Sequence, residues 1–143
     1  MPVDVACEAV TADADAVAAD AERLLAALGV GATELSILLC DDRFIHALNL
    51  QWRAKDRPTD VLSFSMREGE GADPDDPVLG DVVISLETAA RQAAERGHSP
   101  AREVQVLLVH GVLHLLGHDH DEDVDAFATD PEHGRLVALL PER

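Results

Sequence analysis

Apolar positions along this chain recur with two periods, and the switches between them mark out elements. Residues 2–8 alternate weakly and predict an edge strand. In "ADADAVAADAERLLAALG" (12–29) apolar residues recur at helical spacing, and Gly29 stands where a helix would end. "ELSILLC" (34–40) is an apolar run of strand length. Asp41 or Asp42 then caps a helix through "RFIHALNLQWR", with Phe44, Ile45, Leu48 and Trp52 near one face and Pro58 as its stop. "DVLSFSM" (60–66) alternates as a strand, "REGEGADPDDP" has no period and predicts a surface loop, and "LGDVVISL" (79–86) returns to strand. The two strands flanking that loop are expected to pair antiparallel.

Ser85 is placed to cap "LETAARQAAERG", which Gly97 ends. Ser99 followed by Pro100 opens the next helix with a hydroxyl cap and a proline at the first helical position. This helix runs to about Gly117, and its apolar residues between Val104 and Leu116 point in almost every direction, the mark of a central buried helix. Beyond Asp119 the chain turns acidic, Pro131 is expected to break any helix there, and "GRLVALLPER" supplies one short final helix. The order β-α-β-α-β-β-α-α predicts a single α+β domain over 1–143, with helices packed on a small mixed sheet of about four strands.

Composition adds constraints. With 47% apolar residues but only three Phe, one Trp and no Tyr, the core must be built from Leu, Val, Ile and Ala. No stretch is long and apolar enough to cross a bilayer, and "MPVDVACEAV" lacks the basic region and apolar core of a secretory signal, so a cytoplasmic location with no membrane partner is expected. Cys7 and Cys40 are then expected to be reduced and packed. The net charge of −17 argues against general attraction to nucleic acid, and DNA is not an expected partner. The acid is uneven: residues 119–132 hold seven carboxylates and no Lys or Arg. By contrast "QWRAKDRPT" holds Arg53, Lys55 and Arg57 against Asp56, which reads equally as a local anion site or as a solvated loop.

The chemistry concentrates in "VHGVLHLLGHDHDEDVD" (109–125). His110 and His114, four apart on the central helix, share one face, and Gly117 can turn the chain so that His120 folds back toward them. Each buried imidazole costs free energy unless its nitrogens find partners, and one metal ion satisfies three at once. Three neutral nitrogens with open positions suit one Zn²⁺ per chain, which can lower the pKa of water to about 7. The spacing H-x-x-x-H-x-x-G-x-x-H is also that of metzincin proteases, and the fold expectation is accordingly zincin-like. Their general-base Glu follows the first His, however, and here that position is Gly111, so the peptidase mechanism lacks its proton acceptor. "DHDEDVDAFATD" (119–130) is not an EF-hand: its sixth position is Val124 and its twelfth Asp130.

With these residues in view, the chain resembles the YbeY family of bacterial endoribonucleases, the ribosomal RNA maturation factors. "HGVLHLLGHDH" (110–120) is similar to the family's metal signature with Gly111 in place, "LNLQWRAKDRPTDVLSF" (48–64) to a second signature, and "LGDVVIS" (79–85) to a third. The resemblance implies Zn²⁺ held by His110, His114 and His120, with Arg53 and His114 as the candidate catalytic residues. It implies cleavage of single-stranded RNA, maturation of the 3′ end of small-subunit ribosomal RNA, and ribosome quality control, with the ribosome or its small subunit as partner. His118 matches a family position that commonly holds Tyr or His and is not assigned as a ligand. The chain departs from the family at Ser65, where Pro is usual, in a short C-terminus carrying Pro131, and in its strong acidity. Two other readings are a non-catalytic zinc-containing ribosome assembly factor and a metallopeptidase-like hydrolase.

Overall fold

The computed structural model describes residues 3–7, 14–66, 77–116 and 131–143, and within the first of these only the Val3 side chain. Strands β1 (Val3–Cys7), β2 (Glu34–Cys40), β3 (Val61–Ser65) and β4 (Val78–Ser85) form one sheet in the order β1-β2-β4-β3. The pairs β1–β2 and β2–β4 are parallel, and β3–β4 is antiparallel, as expected; residues 67–76 between β3 and β4, where a surface loop was expected, lie outside the described residues. The mixed sheet carries helices α1 (Ala14–Ala27), α2 (Asp42–Arg53), α3 (Leu86–Arg96), α4 (Pro100–Leu115) and α5 (Pro131–Leu139), which makes the fold α+β.

Alternation along the strands divides the apolar residues between two faces. Leu35, Ile37 and Leu39 of β2 and Val82 and Ile84 of β4 join the main core with α1, α4 and α5. Leu38, Cys40, Leu62, Val83 and Phe64 face the other way and meet Ile45 and Leu48 of α2. Glu34 and Ser36 at the start of β2 are exposed, but toward its end both faces are covered, which is why Ile37, Leu38, Leu39 and Cys40 read as a continuous apolar run. Cys40 is buried, its thiol donating to the Ile84 carbonyl at 3.5 Å; the Cys7 side chain lies outside the described set.

The caps hold where the pattern put them. Asp41 accepts from the Phe44 N–H at 2.8 Å, Ser85 from Thr88 and Ser99 from Arg102, and Gly97 ends α3 at φ 74°. Two expectations change. Helix α2 ends at Arg53, where the pattern put its last residue, but what stops it is Ala54, not Pro58: Ala54 takes the left-handed conformation (φ 58°) and its N–H bonds back to Asn49 and Leu50. Phe44 and Trp52 are exposed, at 40% and 62%, while Ile45 and Asn49 are the buried residues of α2; its last turn reaches only the sheet's edge strand, where Phe64 meets the indole. Pro131 opens α5, at a position whose N–H needs no helical partner; the segment before it, which Pro131 was expected to break off, lies outside the described residues.

Candidate active site

Helix α4 is buried almost all round, from Val104 through Leu107, Leu108 and Val112 to Leu115. Its least buried stripe is Val106, His110 and His114, one residue per turn, and the two histidines line a cleft of about 640 Å³ at the β3 edge of the sheet. The sequence thus leaves the imidazoles on a face of this helix that opens to a cavity.

The glycine between them is a packing device. A Cβ at Gly111 would lie 2.7 Å from one methyl of Val82 and 3.2 Å from the other, so any side chain there would push α4 off the sheet. The position that holds a proton acceptor in metzincins is here pressed against the core and does not face the cleft. Close approach also lets the Ser63 hydroxyl donate to the Gly111 carbonyl at 3.2 Å, fastening β3 to the helix beside His110.

Arg53 arrives from the opposite face of the sheet. In the β3–β4 ladder, Ser85 N–H bonds the Asp60 carbonyl and Met66 N–H the Leu79 carbonyl, which makes Ser63–Val82 a non-hydrogen-bonded pair. The Ser63 carbonyl therefore points out from the sheet edge, and the Arg53 guanidinium donates to it at 2.6 Å. The same guanidinium lies 5.4 Å from the centroid of the Phe64 ring. One strand residue, Ser63, thus holds Arg53 by its carbonyl and α4 by its hydroxyl.

The basic island is anchored to the same cleft. Asn49, buried in α2, donates from its amide to the Arg57 carbonyl at 2.9 Å, and its own carbonyl accepts from the Lys55 N–H. His46 and Asp56 meet at 2.7 Å on the outer side. Arg53, Lys55 and Arg57 consequently line the cleft, with Arg91 of α3 on the far wall and Asp60 as the carboxylate among the lining residues. In a chain of net charge −17 this is a local reversal of sign, of the kind that draws in an anion.

The far wall is set by Asp42. Its carboxylate accepts from Ser85 Oγ and Thr88 Oγ1, both at 2.6 Å, and from Arg91 at 2.7 Å, tying the start of α2 to the start of α3. Burial raises the pKa of this carboxyl, but the hydrogen bonds from Ser85, Thr88 and Arg91 outweigh it and hold the group below the ordinary aspartate value.

The structure brings Arg53, His110 and His114 to one cleft, together with Lys55 and Arg57. His120, the third expected ligand, lies outside the described residues, as do His118, Gly117, and the acidic segment 119–130. Among the described residues no three His, Cys, Asp or Glu side chains could together hold a metal ion. Asn49 and Ser63, which position the basic loop and Arg53, were not singled out from the sequence. The one available signal was a hydroxyl at Ser63 in an alternating strand covered on both faces.

Residues 4–133 match the family profile described as "Endoribonuclease YbeY". The chain belongs to the endoribonuclease YbeY family. It is 55% identical over 103 residues to Endoribonuclease YbeY of Pelotomaculum thermopropionicum, covering 70% of this chain and 68% of that one. To the protein of the same name from Carboxydothermus hydrogenoformans it is 56% identical over 110 residues, 76% of this chain and 74% of the relative. A chloroplastic Endoribonuclease YBEY from Arabidopsis thaliana is 54% identical over 93 residues, which span 65% of this chain but 16% of that far longer protein. Members of the family are thus named as endoribonucleases, hydrolases acting on RNA. The fold is shared with the solution structure of TM1509 from Thermotoga maritima, at TM-score 0.64 and 24% identity, covering 96% of this chain and 88% of that one.

Proposed function

We propose that this chain is a zinc-dependent endoribonuclease that cuts single-stranded RNA, acting as one domain over 1–143. The observation that carries the reading is the convergence of Arg53 from α2 and of His110 and His114 from α4 on one cleft at the β3 edge. A planar guanidinium suits two phosphate oxygens at once, and Lys55, Arg57 and Arg91 extend the positive lining along a strand's path. A cleft beside a sheet edge suits a single strand, whose backbone can bend into it.

Two imidazoles one turn apart, both half-buried and both lining the cleft, are a donor pair that fits Zn²⁺. His110, His114 and His120 would hold it, in a zincin-like arrangement. Zn²⁺ supplies a Lewis acid that polarises phosphoryl oxygens and acidifies water. The protein's own part is to bind and orient: Arg53 neutralises charge at the scissile phosphate, and Ser63 fixes the distance between Arg53 and α4. The family name and the motif resemblance support ribosomal RNA as substrate, the 3′ end of small-subunit RNA as the place of action, the small subunit as partner and the cytoplasm as location. No described helix is long and apolar enough to cross a membrane. A peptidase finds no support at position 111, where the glycine is packed on Val82.

The test is cleavage of an end-labelled, unstructured RNA by purified protein, with His114→Ala and Arg53→Glu in parallel. Loss of cleavage in both variants supports the nuclease. No cleavage by any preparation, with both variants binding ribosomal particles normally, would favour a non-catalytic assembly factor instead.

A further inference from the structure

We propose that Trp52 is a stacking platform for a base of the bound RNA strand, at the margin of the cleft beside Arg53; the proposal rests on the nuclease reading and names how the strand is held. Trp52 is the chain's only tryptophan, and it stands 62% exposed in a protein that otherwise uses few aromatics. Its ring meets Phe64 at 6.4 Å and an interplanar angle of 71°, so the indole is braced against the strand while most of its surface faces solvent. Phe64 in turn lies under the guanidinium of Arg53, and Arg53 lines the cleft. The three side chains form a continuous surface leading from solvent to the proposed phosphate contact, with Met66, 48% exposed, just past the end of the strand that carries Phe64.

The occupant follows from charge and shape. An apolar ligand alone would gain nothing from Arg53, Lys55 and Arg57 beside the aromatic pair, and a folded acidic protein surface would not fill the cleft behind them. A single-stranded polynucleotide matches both features: its phosphates meet the cations, and its unpaired bases offer π-faces of the size of the indole. Bases in a duplex are stacked on one another and cannot reach the platform. Trp52 therefore favours single strands over duplexes and is indifferent to which base it meets, because every base has such a face. An indole already braced by Phe64 loses little freedom on stacking.

Having one tryptophan makes the test direct. The full-length protein is mixed with a short unstructured RNA, an abasic oligomer of the same length and charge, and a duplex of the same sequence, and the tryptophan emission is read within seconds. The unstructured RNA is expected to quench emission, and the other two are not. Trp52→Ala and Trp52→Leu should each weaken binding by about tenfold and raise KM for cleavage with kcat little changed, while Trp52→Phe restores most of the loss. Leucine keeps an apolar contact for Phe64 without a π-face, so it separates stacking from packing. Equal quenching by the abasic oligomer, no quenching by any RNA, or wild-type affinity in Trp52→Leu would overturn the proposal. Cleavage without quenching leaves the nuclease standing and removes the platform; quenching without cleavage keeps the platform and removes the nuclease.

Discussion

The Arg53 guanidinium donates to the backbone carbonyl of Ser63 at 2.6 Å, across the open edge of β3. Helix α2 and helix α4 cover opposite faces of the sheet, so their functional residues meet only where the sheet ends. Ser63 is where that happens: its carbonyl takes Arg53 and its hydroxyl takes the Gly111 carbonyl. The cleft is thus a product of topology, with the antiparallel strand β3 placed last in the sheet order.

Replacing Arg53 tests that geometry. Arg53→Ala should lower RNA cleavage by about a hundredfold, the usual cost of removing one group aimed at developing charge. Arg53→Lys should recover little, because an ammonium cannot hold the Ser63 carbonyl and present a two-pronged face to phosphate together. Zinc content should stay at the wild-type level in both, read by elemental analysis; loss of zinc would make Arg53 part of the metal site's scaffold.

Gly111→Ala should destabilise the protein by about 1–3 kcal/mol, since the added methyl meets Val82 at 2.7 Å in a packed core. Helix propensity works the other way, as Ala is better than Gly by about 1 kcal/mol. Adding Val82→Ala in the same chain should release the clash, so the two changes together should cost less than their sum in urea unfolding. Strict additivity would mean that the close approach of α4 to β4 is not what selects the glycine.

Acid sensitivity follows from Asp42. Its folded pKa lies below the reference value of 3.8, so the unfolded chain binds the proton more readily. The stability contributed by the charged carboxylate is fully present above pH 3.8 and is lost as the pH falls through the lower folded value. Asp42→Ala should cost about 2 kcal/mol at pH 7, where Ser85 and Thr88 lose their acceptor. The gap from wild type should narrow below pH 3.8, measured by urea unfolding at both values. A gap that widens in acid contradicts the assignment.

Much of this was legible before any coordinates. Period, caps and glycines located the described helices and strands, because Asp41, Ser85, Ser99 and Gly97 satisfy backbone groups locally and carry that role in their chemistry. The antiparallel pairing of β3 and β4 followed from two strands separated by one short stretch without period. What stops α2 was not legible: Ala54 is an ordinary helix former, and its left-handed turn, beside the loop that Asn49 holds, ends the helix before Pro58 is reached. The exposure of Trp52 was hidden for a related reason, since helical spacing says which face a residue shares but not whether the sheet extends beneath it. Arg53 could be picked out from its motif, yet its partner could not, because a backbone carbonyl leaves no trace in the sequence.

The central claim is that the open face of α4 grips a zinc ion, and metal content tests it most directly. Purified wild-type protein should carry close to one equivalent of zinc, and His110→Ala and His114→Ala should each lose it and unfold at lower temperature, because metal binding adds to folding free energy. Near-full zinc occupancy in either variant would contradict the account.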